Sequence, residues 1–175
     1  ALGIFVFTSS GQSGSVVYMV AHGLSTAALF LTAGFLMSRR RDSALISDYG
    51  GVNKVAPVLA GFFLVAALSS LALPGLVSFV GEFLVLLGAF ERYLWVGALG
   101  TLGIVITAAY VLRLYQKSMT GPANPSVEGM TDLKGREITA LVPIAALSIT
   151  LGLYPAPLLN VINPAVDWTM NTISA

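Results

Sequence analysis

The feature that most restricts the fold of this chain is the stretch Pro57–Phe90, 34 residues in which Glu82 is the only charged side chain. A helix needs about 20 apolar residues to cross the hydrocarbon core of a bilayer, whereas one continuous helix of this length would measure about 50 Å. Pro74 and Gly75 interrupt the run. Proline breaks the helical hydrogen-bond ladder, and glycine accepts the dihedral angles of an open stretch. The pattern predicts a membrane-spanning helix that is broken at Pro74–Gly75.

The composition of the whole chain agrees with a membrane location. Hydrophobic residues make up 56% of the 175 residues, charged residues 10%, and the mean hydropathy is +0.85, whereas soluble domains carry roughly a quarter charged residues. The net charge of +1 is too small to indicate nucleic-acid binding. Without cysteine the chain has no disulfide, thiolate metal site or cysteine-held iron–sulfur cluster, and its single histidine excludes a multi-histidine metal site. We therefore predict an integral membrane protein without a metal site of its own.

Hydropathy predicts three further spans and a tail. The predicted spans are Ser15–Met37, Tyr93–Tyr115 and Ile138–Tyr154, and the apolar residues at the start of the chain are typical of the end of a preceding helix. Residues 156–175 mix prolines with apolar side chains and predict an interfacial segment. The expected fold is all-α, with residues 1–155 in the transmembrane domain and residues 156–175 in the tail.

The basic residues predict the orientation in the membrane. If four helices alternate in direction, eight of the nine Lys and Arg side chains fall on one side and only Arg92 falls on the other. Because cytoplasmic loops carry an excess of Lys and Arg, the loops Arg39–Lys54 and Lys117–Arg136 are predicted to be cytoplasmic. The tail then faces outward. The eight residues are Arg39, Arg40, Arg41, Lys54, Arg113, Lys117, Lys134 and Arg136.

Glu82 is the first candidate for a functional residue. It precedes Phe90 by eight residues, which places its backbone about 12 Å from the outer boundary. At that depth a carboxylate must be protonated, paired or hydrated, and broken helices recur at the ion sites of transporters. The residue chemistry therefore indicates a proton-carrying site, with a buried packing acid as the alternative. Ser69 and Ser70 are candidates for the lining of the break.

His22 is the second candidate. It lies seven residues after Ser15, about 10 Å from the same boundary, and histidine changes charge near neutral pH. Ser25 and Thr26 follow it on the same helical face and are candidates for holding water. The matching depth of His22 and Glu82 favours a shared proton path, and a histidine that only packs remains the alternative.

Three motifs resemble one family of membrane proteins. The stretches MVAHGLSTAALFLTAGFLMSRRR, YGGVNKVAP and LALPGLVSFVGEFLVLLGAF are similar to the C-terminal part of the antiporter-like, proton-translocating membrane subunits of respiratory complex I, the NADH-quinone oxidoreductase of bacteria. Members of the L and N types and the cation/proton antiporter relatives usually carry lysine where Glu82 stands, so the resemblance is to the M type.

The resemblance implies a fold of fourteen helices, of which this chain would supply the last four and the end of the tenth. It implies that His22 is a histidine of the central polar axis and that Glu82 is the acid of the outward proton path. FMN, iron–sulfur clusters, NADH and quinone would be bound by other subunits of the complex. The expected partners are the neighbouring L- and N-type chains and the lipid bilayer, and the expected location is the bacterial inner membrane. A subunit of a cation/proton antiporter and a structural scaffold of the membrane arm remain alternatives.

Overall fold

The computed structural model describes residues 1–40 and 42–174, and within these ranges it contains helices and no strand. Arg41, one of the basic residues of a predicted cytoplasmic loop, and Ala175, the last residue of the predicted tail, lie outside the described residues. Two short 3-10 helices, Ile46–Asp48 and Pro125–Val127, lie in the loops. The helices are α1 (Leu2–Phe5), α2 (Ser9–Ser38), α3 (Val52–Val55), α4 (Pro57–Ser70), α5 (Val77–Arg92), α6 (Leu94–Met119), α7 (Gly135–Leu153) and α8 (Ala156–Ser174).

Among the described residues, three helices, α2, α6 and α7, are long and apolar enough to cross a membrane. They correspond to the three unbroken spans predicted from hydropathy, so the all-α membrane fold is confirmed. Helix α2 begins earlier than predicted, because the Thr8 side chain accepts a hydrogen bond from the Gly11 amide and caps its first turn. The serines and glycines that follow are poor helix formers, and packing against other helices overrides that preference.

The fourth span consists of two helices, α4 and α5, as the sequence predicts. Helix α4 ends in a Schellman motif, in which the Leu73 amide donates to the Leu68 carbonyl and the Ala72 amide donates to the Ser69 carbonyl. Ala72 adopts the left-handed conformation that this motif requires, with φ of 52°. The end of α4 is therefore a defined stop, four residues before Pro74.

A tight turn follows this stop and leads into α5. The Leu76 amide donates to the Leu73 carbonyl across Pro74 and Gly75, and Gly75 has φ of +99°, which is the pattern of a type II turn. The last turn of α7 covers this open backbone, since a side chain at Gly152 would overlap the Gly75 carbonyl and Leu76. Non-helical backbone inside a membrane needs such cover, and here another helix of the same chain provides it.

Helix α2 lies at the centre of the bundle and packs against α4, α5, α7 and α8. Its contact with α5 is close because glycines face across it. A Cβ at Gly14 would lie 2.7 Å from the Val85 amide, and one at Gly81 would lie 2.7 Å from the Tyr18 amide. Small residues let helix backbones approach in this way. This crossing sets the position of Glu82, the residue after Gly81.

The loops predicted to be cytoplasmic are joined by Arg39, at the end of α2. Its guanidinium donates to the carbonyls of Phe35, Thr131 and Asp132 and forms an ion pair with Glu137, in the first turn of α7. The Asp132 carboxylate in turn accepts from the first backbone amides of α4, Val58 and Leu59. One polar network therefore holds three helix ends together.

The tail forms helix α8, which packs on the first half of α2. The Ser13 hydroxyl donates to the Asn163 side chain at 2.9 Å. Ile162 and Val166 are buried in an apolar cluster with Val17 and Val77. The tail therefore completes the packing around the beginning of α5.

Candidate functional site

Glu82 faces a cavity of about 240 Å³ between α1, α2, α5 and α6. The side chain is half-buried and makes no hydrogen bond or ion pair with another described residue. Two hydroxyl-bearing residues of α2, Ser15 and Tyr18, line the same cavity, and most of the remaining lining is apolar. A carboxylate therefore shares this cavity with two hydroxyl groups and has no fixed partner.

The cavity is large enough for several water molecules, because one water occupies about 30 Å³ in the liquid. Water and hydroxyl groups are the partners that an ionised carboxylate needs at this depth. The same partners carry protons along hydrogen-bonded chains. The geometry therefore suits a carboxyl group that takes up and releases a proton.

His22 lies outside this cavity. Its side chain is exposed on α2, and its Nε2 atom lies 3.4 Å from the Thr26 hydroxyl. The ring stacks on Tyr18, with 6.1 Å between centroids and 19° between planes. The structure shows no direct contact between His22 and Glu82, and Tyr18 contacts the histidine ring and also lines the cavity of the glutamate.

Ser25 and Thr26 differ in their environments. Thr26 contacts the His22 ring, as its place on the same helical face predicts. Ser25 is buried, and its hydroxyl donates to the His22 backbone carbonyl at 3.2 Å. Of the two candidates, Thr26 is therefore the one that contacts the histidine side chain.

The serines next to the break also differ. Ser69 is buried, and its hydroxyl lies 3.3 Å from the Ser78 hydroxyl and 3.2 Å from that of Ser148. The Ser70 hydroxyl donates to the Ala66 carbonyl of its own helix. Three buried hydroxyl groups from α4, α5 and α7 thus meet beside the open backbone at Pro74–Gly75.

Sequence reasoning did not identify Tyr18, Ser15 or Ser148. The available signals were the position of Tyr18 one helical turn before His22 and the position of Ser148 inside an apolar span. Such spacing is common in membrane helices, and only the packing of α2 on α5 brings Tyr18 and Ser15 to the Glu82 cavity. The described residues contain no group of three His, Asp or Glu side chains that could hold a metal ion.

A helical membrane protein with a carboxylate beside a broken span has the architecture of membrane transporters. Residues 1–107 match the family model described as "NADH:quinone oxidoreductase/Mrp antiporter, TM". The chain belongs to this family, and it is a multi-pass membrane protein.

Proteins of similar sequence support this membership. NADH-quinone oxidoreductase subunit M of Mycobacterium tuberculosis is 56% identical over 171 residues, which cover 98% of this chain and 31% of that protein. NADH-ubiquinone oxidoreductase chain 4 of Arabidopsis thaliana is 36% identical over 167 residues, which cover 95% of this chain and 34% of that protein. The chain thus spans about a third of the length of the curated relatives it matches.

Solved structures show the same fold. A chain of respiratory complex I from Thermus thermophilus superimposes with a TM-score of 0.91 at 33% identity, over 97% of this chain and 36% of that chain. A chain of the Mrp complex from a Dietzia species superimposes with a TM-score of 0.78 at 18% identity, over 94% of this chain and 39% of that chain. The second similarity shows the fold alone.

Proposed function

We propose that this chain is the C-terminal part of subunit M of a bacterial NADH:quinone oxidoreductase. In that role it translocates protons outward while electrons pass from NADH to quinone elsewhere in the complex. The observation that carries the proposal is the Glu82 side chain, which faces a cavity with room for water next to a broken span. The 56% identity to a subunit M supports the choice within the family.

Glu82 is the proton-releasing group in this proposal, and His22 is a second proton carrier. A change of hydration or of nearby charge, driven by the redox reaction, alters the proton affinity of Glu82 and causes uptake followed by release. The turn at Pro74–Gly75 interrupts the same span seven residues before Glu82, and Ser69 supplies a buried hydroxyl next to that turn. Ser70, Ser25 and Thr26 contribute further hydroxyl groups near these residues.

The proposal includes a topology and a set of partners. Residues 1–155 lie in the transmembrane domain of the bacterial inner membrane, the loops Arg39–Lys54 and Lys117–Arg136 are cytoplasmic, and residues 156–175 lie on the outer side. L- and N-type chains are the neighbours, and FMN, iron–sulfur clusters, NADH and quinone are bound by other subunits. Exposed apolar side chains along α6, such as Leu99, Leu102 and Val105, support contact with lipid or with a neighbouring subunit.

The test is the Glu82→Gln variant in the full-length subunit within its complex. In inside-out membrane vesicles, NADH-driven acidification is compared with NADH oxidation by an artificial acceptor that bypasses the membrane arm. Glu91→Gln is the matched control, because Glu91 is an exposed acid near the end of the same helix. We expect acidification to fall by roughly a hundredfold in Glu82→Gln, as for loss of a proton-transfer group, while the bypass activity and the control remain unchanged.

Unchanged acidification in Glu82→Gln would contradict the proton-site assignment and would favour the reading in which this part of the chain is a scaffold. Loss of both acidification and the bypass activity in Glu82→Gln would indicate failed assembly. In that case Glu82→Asp, which keeps the titratable group, distinguishes the readings, because a proton path predicts partial pumping by the aspartate variant.

A cation/proton antiporter subunit is a second candidate, because the matched family model covers Mrp antiporters as well as NADH:quinone oxidoreductases. It predicts proton exchange that depends on sodium or potassium and proceeds without NADH. Vesicles energised by a cation gradient in the absence of NADH distinguish the two candidates. Glu82→Gln should abolish the exchange if the antiporter reading is right.

A further inference from the structure

Tyr18 lies between the two predicted proton carriers. Its ring stacks on the ring of His22, one turn further along α2. It also lines the cavity into which Glu82 projects. Tyr18 therefore lines the Glu82 cavity and also contacts the His22 ring.

The packing of α5 holds Tyr18 in this place. A Cβ at Gly81 would lie 2.7 Å from the Tyr18 amide nitrogen, 2.8 Å from its Cα and 2.9 Å from its Cβ. The backbone that carries Glu82 is therefore in direct contact with the backbone that carries Tyr18. Tyr18 is 36% exposed and lines the cavity that has room for water.

The geometry points to Tyr18 as a further proton-transfer residue, whose hydroxyl connects the His22 side of α2 with the Glu82 cavity. This inference rests on the proposed function. A water molecule takes a proton from the protonated His22 ring and gives its own proton to the Tyr18 hydroxyl oxygen. The hydroxyl in turn gives its original proton to the Glu82 carboxylate, so His22 becomes neutral and Glu82 becomes protonated. One O–H bond forms as the other breaks, and the tyrosine is unchanged at the end.

The hydroxyl must act as a neutral group in this step, because tyrosine ordinarily loses its proton only near pH 10. The water in the cavity supplies the remaining hydrogen bonds. Ser15, which lines the same cavity, is a second hydroxyl available to these waters. The titratable groups that face Tyr18 are Glu82 and His22, with Tyr110 of α6 as a third.

Tyr18→Phe tests the inference in the full-length subunit within its complex, with the same vesicle assay. Phenylalanine keeps the ring and its stacking and removes the hydroxyl. We expect NADH-driven acidification to fall about tenfold, because hydrogen bonds to charged groups are among the strong ones. Tyr115→Phe is the matched control, since the Tyr115 ring stacks on Phe63 at 6.4 Å and does not line the Glu82 cavity. The control should pump like the wild type.

Tyr18→His separates proton transfer from packing. Histidine keeps an aromatic ring and restores an atom that accepts and donates protons, so a relay predicts more acidification by Tyr18→His than by Tyr18→Phe. A role in packing alone predicts the opposite order, because phenylalanine matches the shape of tyrosine better. Dividing acidification by the bypass activity corrects for the amount of assembled complex. The order of the two variants in pumping can therefore be measured even if both assemble less well.

Three outcomes overturn one or both proposals. Wild-type pumping by Tyr18→Phe, together with loss of pumping in Glu82→Gln, refutes the role of Tyr18 and leaves the proposed function in place. Wild-type pumping by both variants refutes the proton site as well. Lower pumping by Tyr18→His than by Tyr18→Phe assigns the tyrosine a packing role.

Discussion

A side chain at Gly81 would separate the two helices that form the candidate proton site. The Cβ of Gly81→Ala would meet three atoms of Tyr18 at 2.7 to 2.9 Å. Carbon atoms pack best at roughly 3.5 to 4.0 Å, so α5 must move away from α2 by about 1 Å. The atoms that it meets are the backbone and Cβ of Tyr18, and no change of side-chain rotamer can relieve the overlap.

The expected loss of stability follows from two opposing effects. Forcing an extra methyl group into a packed contact costs about 1 to 3 kcal/mol. Replacing glycine by alanine inside a helix stabilises the helix by about 0.5 to 1 kcal/mol. We therefore expect Gly81→Ala to lower the free energy of unfolding by about 1 kcal/mol, within a range of about 0 to 2.5 kcal/mol.

Gly103→Ala is the matched control, because a Cβ at Gly103 on α6 meets no described atom within 4 Å. It should raise the free energy of unfolding by about 0.5 to 1 kcal/mol through helix propensity alone. The assay is unfolding of the purified full-length subunit in bicelles by titration with dodecyl sulfate, followed by circular dichroism. Equal effects of the two substitutions, or a more stable Gly81→Ala, would refute the close helix crossing from which the site is built.

Three further predictions concern other parts of the chain and use the same unfolding assay. Arg39→Gln should lower the free energy of unfolding by about 2 kcal/mol, because it removes the ion pair with Glu137 and the guanidinium hydrogen bonds to three carbonyls. Adding Glu137→Gln should recover part of the loss, and no recovery would contradict the ion pair. Ser148→Ala should cost about 1 kcal/mol through loss of its hydrogen bond to Ser69, and an unchanged midpoint would contradict that bond. Burial raises the pKa of the Tyr49 hydroxyl above its ordinary value of 10.0. Because the folded state then holds this proton more tightly than the unfolded state does, the hydroxyl stabilises the fold below pH 10. This stabilisation is lost as the pH rises through the raised pKa. Tyr49→Phe should weaken this alkaline loss, and an identical pH profile would contradict the prediction.

The span pattern was predictable from the sequence because a bilayer sets the required length of apolar helix. Pro74 and Gly75 placed the break correctly, since proline and glycine act on their own backbone and need no distant partner. The start of α2 was not predictable in the same way. Its serines and glycines have low helix propensity, and their helical structure depends on packing against α5 and α8.

The candidate site, too, was only partly predictable from the sequence. Glu82 and His22 could be selected from the sequence, because a titratable side chain inside an apolar span costs free energy and therefore indicates a functional role. Their relation to each other depends on the rotation of α2 and α5 about their axes. The tertiary structure shows that these rotations place Tyr18 and Ser15 on the cavity of Glu82 and leave His22 on the other side of Tyr18.

The sequence by itself determined the membrane class, the broken span and the acid beside it, because each of these depends on local chemistry and on the thickness of the bilayer. The tertiary structure decided which polar groups share the cavity and which three serines meet at the break. Those contacts join residues that are far apart in the chain. They depend on how closely glycines such as Gly14 and Gly81 let the helix backbones approach.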